Sequence, residues 1–218
     1  MGGIQVERLF ETHTAYQHVL IERHPSWGRL LRLDGLVHSS EVDKDLYHQS
    51  LVDPAFAINP NIRRALVLGG GEGATIKEVL DHPHVAEVVM VDIDEQVVRI
   101  CQEYLPDWSQ GAYGDPRLRL YFMDAAEFIK GDRTKYDLIV WDICDPGLEN
   151  PSQGLYTEIF FDHLSRHLSQ AGLLAVEYSP RHHELFGLLT RSWKEVHRAH
   201  ISIPSYEEDW VFQILQQT

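Results

Sequence analysis

The sequence predicts an α/β fold: a Rossmann-like, doubly wound, mostly parallel sheet that follows a small N-terminal β-rich unit. From about residue 61 onward, short apolar runs alternate with helix-like runs. One junction, ALVLGGGEGATIKEVL at residues 65–80, joins a strand to a helix through a glycine-rich loop, which is typical of nucleoside-binding sheets. The first 55 residues instead alternate apolar and polar positions around the turn HPSWG, as in a hairpin.

The first part of the chain predicts two strands and one helix. AYQHVLIERH and GRLLRLDGLVHSS alternate apolar and polar residues, as strands with one buried face do. EVDKDLYHQSLVDPAF has a helical pattern, and Pro54 and Pro60 mark its end. We therefore expect a β-rich domain at 1–55 and a nucleoside-binding catalytic domain of class I methyltransferase type at 56–218.

The second part predicts strands that are buried on both faces, because their apolar runs are continuous rather than alternating. Pro83 ends the first helix, and Gly172 ends a long helix that starts near residue 156. The direction of the last strand is left open. The predicted elements are, in order, RRALVLGG, ATIKEVLDHP, AEVVMVDID, EQVVRICQEYLP, PRLRLYFMD, AAEFIKG, YDLIVWDICD, the loop PGLENPSQGL, YTEIFFDHLSRHLSQAG, LLAVEYS, HELFGLLTRSWKEV, HRAHISIP and WVFQILQQ.

Composition limits the classes of partner. The formal net charge is −14, so nucleic acid is disfavoured as a partner and cations such as polyamines are favoured. No apolar run is long enough to span a membrane, and the first residues lack the apolar core of a signal peptide. Cys101 and Cys144 lie far apart, and the histidines are scattered without metal-like spacing. We expect a cytoplasmic protein without a metal.

Acidic residues follow four consecutive predicted strands: Glu72, Asp92, Asp124 and Asp142. A single acid at such a position is often only a helix cap. Four of them meet at one edge of a parallel sheet, where ligands bind. Asp92 follows the glycine loop by about 20 residues, the offset of an acid that binds ribose hydroxyls. The pattern therefore predicts an adenosine-like ligand.

Glu72 narrows the choice of ligand because it places a carboxylate inside the glycine loop. It would repel the pyrophosphate of a dinucleotide and also the carboxylate of S-adenosylmethionine. Decarboxylated S-adenosylmethionine has a sulfonium and an amine but no carboxylate, and its ammonium group can pair with Glu72.

Longer motifs add to this prediction of the ligand. GGGEGAT, VDID and DICDP resemble the spermidine synthase family, the polyamine aminopropyltransferases, and so do LRLDGLVHSSEVDKDLYHQSLVDPAF, LYTEIFF and IPSY. The resemblance covers about residues 8–214 and leans toward the bacterial and thermospermine-synthase-like branches. It implies transfer of an aminopropyl group from decarboxylated S-adenosylmethionine to an amine, with release of methylthioadenosine. Putrescine, giving spermidine, is the default acceptor; a triamine is possible. It also implies a homodimer or homotetramer and no permanently bound cofactor.

The resemblance implies a role for each matching residue. Asp142 matches the catalytic acid, and a carboxylate suits this step, because an alkyl amine with a pKa of about 10 must lose a proton before it attacks. The nucleoside site is implied to contain Gln17, Gly69, Gly71, Glu72, Gly73, Asp92, Asp124 and Ala125, and the amine site Tyr47, His48, Asp145, Glu177 and Tyr206. Tyr156, Tyr178 and Trp210 are further candidates for an aliphatic slot, with core packing as the alternative.

Three positions depart from the family pattern: His38 stands where the family has glutamine, Gln49 where it has glutamate, and Glu177 where it has glutamine. These changes affect the expected amine pocket and keep a non-catalytic polyamine- or nucleoside-binding homologue open. An S-adenosylmethionine-dependent methyltransferase on the same fold is a second alternative, and a nicotinamide dehydrogenase a third. Glu72 argues against both of these enzymes.

Overall fold

The computed structural model describes residues 5–146 and 151–217, and contains two sheets. The smaller sheet is antiparallel, and its strands pair in chain order. It has four strands rather than the predicted two, because the first strand was not predicted and GRLLRLDGLVHSS is divided by a turn at Asp34 and Gly35, both of which have positive φ. Its alternating apolar residues, such as Val19 and Ile21, are buried on one face. The strands are β1 (Glu7–His13), β2 (His18–His24), β3 (Gly28–Leu33) and β4 (Leu36–Ser40).

The larger sheet has seven strands and confirms the predicted Rossmann-like class. The strand β11 runs antiparallel to both of its neighbours, which answers the question of direction left open by the sequence. The strands are β5 (Arg64–Gly69), β6 (Glu87–Asp92), β7 (Leu118–Phe122), β8 (Tyr136–Asp142), β9 (Leu168–Tyr178), β10 (Trp193–Ile203) and β11 (Glu208–Gln217). Their spatial order is β10-β11-β9-β8-β5-β6-β7.

Helices cover both faces of the larger sheet, and each face has its own apolar core. Residues of α1 and α2 pack on one face, and residues of α5, α6 and α7 pack on the other. Residues of α3 and α4 pack against the smaller sheet. The helices are α1 (Lys44–Ile58), α2 (Ala74–Leu80), α3 (Glu95–Tyr104), α4 (Pro106–Ser109), α5 (Ala125–Gly131), α6 (Glu158–His167) and α7 (His183–Leu189). None of these helices has the length and apolar character needed to cross a membrane.

Three predicted helix ends were wrong. The helix predicted to reach Gly172 ends at His167, because the buried Leu168 already belongs to β9 and pairs with Tyr136 of β8. The helix predicted over 183–196 ends at Leu189, since Trp193 begins β10. Pro54 lies inside α1 and does not end it; the burial of Ala55 after it favours continued helix. Within the predicted loop PGLENPSQGL, residues 147–150 lie outside the described residues.

One buried carboxylate connects the start of α1 to the loop before β11. Asp43 is 4% exposed, and its side chain accepts hydrogen bonds from the Ser40 hydroxyl (2.6 Å), the Ser205 backbone N–H (2.7 Å) and the Ser205 hydroxyl (2.9 Å). The helix α1 includes the position proposed as the domain boundary, between residues 55 and 56, and it packs against the larger sheet. Asp43 therefore fixes the relative positions of Tyr47 and Tyr206.

We predict that Asp43→Ala lowers the free energy of unfolding by about 2–4 kcal/mol, because it leaves the buried Ser205 N–H and two hydroxyls without an acceptor. Urea denaturation followed by circular dichroism measures this change. Asp53→Ala is the matched control: Asp53 lies on the same helix and is 56% exposed, and its loss should cost no more than about 0.5 kcal/mol. Equal losses in the two variants would contradict the role given to Asp43.

Candidate active site

A cavity of about 1270 Å³ lies beyond the carboxyl ends of β5, β6, β8 and β9 and is walled on its other side by the smaller sheet. Such an edge is where sheets of this kind bind ligands. The residues with predicted roles that line it are Gln17, Tyr47, Gly69, Gly71, Glu72, Asp92, Asp124, Ala125, Asp142, Asp145, Glu177 and Tyr206. The other two, His48 and Gly73, do not line the cavity. His48 contacts Glu72 from behind the glycine loop, and Gly73 is the N-cap of α2.

The glycines of the loop allow the acids of neighbouring strands to approach the backbone. A Cβ on Gly69 would lie 2.0 Å from the backbone oxygen of Asp142, and a Cβ on Gly70 would lie 2.7 Å from Asp142 Oδ2. A Cβ on Gly71 would lie 2.8 Å from Asp92 Oδ2. Each of these distances is too short for a side chain. The glycines thus serve close packing of carboxylates around the loop.

Glu72 extends from this loop and is held from behind by His48. The imidazole Nε2 lies 2.8 Å from Glu72 Oε1, and Nδ1 lies 2.6 Å from the backbone oxygen of Lys44. Burial opposes the charge of both groups, but their mutual hydrogen bond lowers the pKa of Glu72 and raises the pKa of His48. One ionisable atom each of His48, Glu72 and Asp142 lies within 4.8 Å of the others. We refer to these three side chains as the loop cluster.

Asp142 ends β8 at the floor of the cavity. Its Oδ2 accepts a hydrogen bond of 2.6 Å from the hydroxyl of Thr75, in the first turn of α2. Burial, together with the negative charge of Glu72, raises the pKa of Asp142 to about 7. A carboxylate with such a pKa can exchange a proton at neutral pH. Thr75 was not among the predicted site residues, although it directly follows GGGEGA in the sequence.

Asp92 ends β6 and is oriented by the next turn. Its Oδ1 accepts a hydrogen bond of 2.8 Å from the backbone N–H of Asp94, and burial raises its pKa to about 6. Asp94 caps α3 and also accepts hydrogen bonds from the Thr14 hydroxyl (2.6 Å) and the Gln17 amide (3.1 Å). Asp94 therefore holds Gln17 at the wall of the cavity, a role that the motif VDID alone did not reveal.

Asp124 caps a helix and also lines the cavity. Its Oδ1 accepts hydrogen bonds from the backbone N–H groups of Ala126 (2.8 Å) and Glu127 (3.1 Å), so it caps α5. Asp124 and Ala125 also line the cavity beside Asp92. The cap fixes the side chain at the wall of the cavity.

Aromatic rings and a buried acid form the other end of the cavity. The Tyr206 ring centroid lies 5.6 Å from that of Tyr47 and 5.1 Å from that of Trp210. Glu177, 4% exposed, accepts a hydrogen bond from the Trp210 indole N–H, and the Tyr206 hydroxyl donates to the backbone oxygen of His38. Burial raises the pKa of Glu177 well above its usual value, and the charges of nearby carboxylates raise it further.

Asp145 lies in the loop after β8, with Oδ2 3.6 Å from His182 Nε2. Burial raises its pKa to about 7. Two tyrosines considered as slot residues have other roles. Tyr178 stacks on Phe186 in the core, with ring centroids 4.2 Å apart, and the Tyr156 hydroxyl donates to the backbone oxygen of Cys144 at 2.8 Å. Tyr156 therefore supports the loop that carries Asp145.

Taken together, the cavity contains acids at one end beside the glycine loop and an acid-rimmed aromatic slot at the other. Glu72, Asp142, Asp145 and Glu177 all face it. Rings of Tyr47, Tyr206 and Trp210 can pack on alkyl chains and on cations. Such a cavity suits an elongated ligand with several positive charges.

The comparisons with known proteins agree with this geometry. Residues 44–218 match the family model described as "Spermine/spermidine synthase domain". Polyamine aminopropyltransferase 2 of Pseudomonas aeruginosa is 37% identical over 211 residues, which cover 94% of this chain and 60% of that protein. Polyamine aminopropyltransferase 1 of Hyperthermus butylicus is 42% identical, with coverage of 78% and 59%. The polyamine aminopropyltransferase of Sulfurisphaera tokodaii is 37% identical, with coverage of 93% and 69%.

Two solved structures have the same fold. A spermidine synthase in complex with the transition-state analogue AdoDATO superposes with a TM-score of 0.85 at 24% identity, covering 97% of this chain and 75% of that one. The spermidine synthase of Thermotoga maritima gives a TM-score of 0.82 at 25% identity, with coverage of 97% and 74%. The chain spans about 60% of the length of the first two curated relatives. From its matched residues, its fold and its relatives, the chain belongs to the spermine/spermidine synthase family.

Proposed function

We propose that the protein is an aminopropyltransferase that moves the aminopropyl group of decarboxylated S-adenosylmethionine to an amine acceptor. One observation carries the proposal: Glu72 places a carboxylate inside the glycine loop, in a cavity that also contains Asp92 and Asp142. The named aminopropyltransferases among its relatives support it.

The donor fits the acids around the loop. In this proposal, Asp92 accepts hydrogen bonds from the two ribose hydroxyls, and Asp124 with Ala125 contacts the adenine edge. Gln17, held by Asp94, adds an amide at the same end. Glu72 then faces the ammonium group of the aminopropyl arm. The carboxylate of intact S-adenosylmethionine would meet Glu72 as a like charge, which disfavours that ligand.

The reaction needs a free amine and a leaving group that is already activated. Asp142 takes a proton from the acceptor ammonium, and the amine nitrogen attacks the carbon next to the sulfonium. The new C–N bond forms as the C–S bond breaks, and its electron pair stays on the sulfur of methylthioadenosine. Asp142 suits this step because its pKa of about 7 lets it hold the proton near neutral pH. The chemistry as proposed uses no metal and no resident cofactor.

The acceptor lies in the aromatic slot. Tyr47, Tyr206 and Trp210 pack on its alkyl chain, while Asp145 and Glu177 bind its remaining ammonium groups. Putrescine is the default acceptor, with spermidine as product. The extra carboxylate of Glu177 also suits a triamine, which brings one more positive charge. We further propose a homodimer or homotetramer that works on these small molecules in the cytoplasm.

The proposal is tested by incubating the protein with decarboxylated S-adenosylmethionine and a panel of diamines and triamines, and by identifying products by mass. We expect methylthioadenosine and an acceptor enlarged by one aminopropyl group. A parallel incubation with S-adenosylmethionine should give no methylated product. Methylation, or binding of methylthioadenosine without conversion of any amine, would overturn the proposal in favour of a methyltransferase or a binding protein.

Asp142→Asn should lower kcat by about a thousandfold, because the amide cannot accept the proton of the acceptor. The Kd for methylthioadenosine, measured by calorimetry, should change less than about threefold. Asp92→Ala should instead weaken nucleoside binding: the Kd for methylthioadenosine should rise at least about tenfold, because the ribose hydrogen bonds are lost. If Asp142→Asn weakens nucleoside binding as much as it slows turnover, Asp142 is not the proton acceptor.

Glu177→Gln should lower kcat/KM for triamines relative to diamines by about tenfold, because the amide cannot pair with the additional ammonium group. The ratio is measured with putrescine and spermidine as competing acceptors. Asp209→Asn is the matched control, since it removes the same charge from an exposed position on β11. An unchanged ratio in Glu177→Gln would show that Glu177 does not bind the acceptor.

A further inference from the structure

His48 is 1% exposed, and its two ring nitrogens contact a backbone oxygen and a carboxyl group. Nδ1 lies 2.6 Å from the backbone oxygen of Lys44, four residues earlier in α1. A carbonyl oxygen has no proton to give, so Nδ1 must carry one. The tautomer of His48 is thus fixed by the helix itself.

The contact of the second nitrogen, Nε2, determines the protonation of the His48–Glu72 pair. Nε2 lies 2.8 Å from Glu72 Oε1, and a neutral Nδ1–H imidazole would offer only a lone pair there. Two lone pairs at this distance repel each other, so the contact must contain a proton. The pair therefore carries one proton more than a neutral imidazole beside a carboxylate. The raised pKa of His48 and the lowered pKa of Glu72 place that proton on the imidazole.

We propose that His48 is a positioning residue: as an imidazolium, it holds Glu72 by one carboxylate oxygen and balances half of the negative charge of the loop cluster. The cluster then has one imidazolium and two carboxylates, Glu72 and Asp142, and a net charge of −1 when Asp142 is ionised. A single ammonium group completes the balance. The loop cluster therefore selects a donor arm with one positive charge and no carboxylate. This selection of the donor rests on the proposed function.

The surroundings of the pair support this charge assignment. Lys44 is turned away, with Nζ 2.5 Å from Asp45 Oδ1 and 5.7 Å from the Trp108 ring. Burial lowers the pKa of His38, on β4, which favours its neutral form near Glu72. Other titratable groups near the pair are Tyr47 on α1, whose ring centroid lies 5.0 Å from that of His48, Asp92 on β6, Cys101 on α3, Tyr113 between α4 and β7, and Tyr206 before β11.

The imidazolium also acts on Asp142. A positive charge within a few ångströms favours the ionised form of a carboxyl group, by about 1–3 pKa units. Without His48, two buried carboxylates would face each other with no cation between them, and Asp142 would hold its proton to higher pH. His48 therefore keeps Asp142 able to accept a proton at neutral pH.

The first test observes the proton directly, by NMR of the protein with 15N-labelled histidine side chains. The His48 signals are assigned by their absence from His48→Gln. We expect both His48 nitrogens to resemble those of an imidazolium at pH 7.5, where exposed histidines are neutral. One protonated and one bare nitrogen would overturn the proposal. This measurement does not depend on turnover, so it decides the proton even if no amine is converted.

The second test is a pH profile of kcat/KM for the donor. In His48→Gln, the acid limb should move up by about one pH unit, because Asp142 loses its neighbouring cation. His200→Gln is the matched control: it makes the same substitution at an exposed position on β10 and should leave the acid limb in place. A folded His48→Gln with an unmoved acid limb would overturn the link to Asp142. Absence of conversion in every variant, the native chain included, would instead count against the proposed function.

Discussion

The crowding of carboxylates at one edge of the larger sheet is the constraint on which the rest of the structure depends. Asp92 and Asp142 approach the glycine loop so closely that no side chain fits at residues 69–71. Like charges in a poorly hydrated space raise one another's pKa, so the free protein is poised to release protons when cations arrive. Placing these groups together costs stability, and a ligand with matching positive charges recovers part of that cost.

The helix α1 connects this charge arrangement to the architecture of the whole chain. Its first turns carry Tyr47 toward the aromatic slot and His48 toward Glu72, so one element serves both halves of the cavity. Asp43, at its start, binds the loop that carries Tyr206. Because α1 packs on the larger sheet while leading out of the smaller one, the two sheets are joined by side chains that also shape the site.

Much of this was predictable, and the exceptions have a common physical cause. The glycine loop and the acids at strand ends are local patterns, so the sequence placed Glu72, Asp92 and Asp142 on elements that the fold brings to one cavity. The ends of α6 and α7 were wrong, because sheet pairing overrides helical pattern at Leu168 and Trp193. The position of Thr75 in the motif GGGEGAT was visible, but its partner Asp142 lies 67 residues further along the chain, so sequence order does not show their hydrogen bond.

The hydrogen bond from His48 to the carbonyl oxygen of Lys44 has an effect beyond histidine itself. Through His48, the position of the Glu72 carboxylate depends on the backbone of α1 about one turn earlier, at Lys44. One residue inserted in that turn would rotate the ring about 100° around the helix axis and carry it away from the loop. The spacing between residues 44 and 48 should therefore tolerate exchange of side chains far better than any change in length.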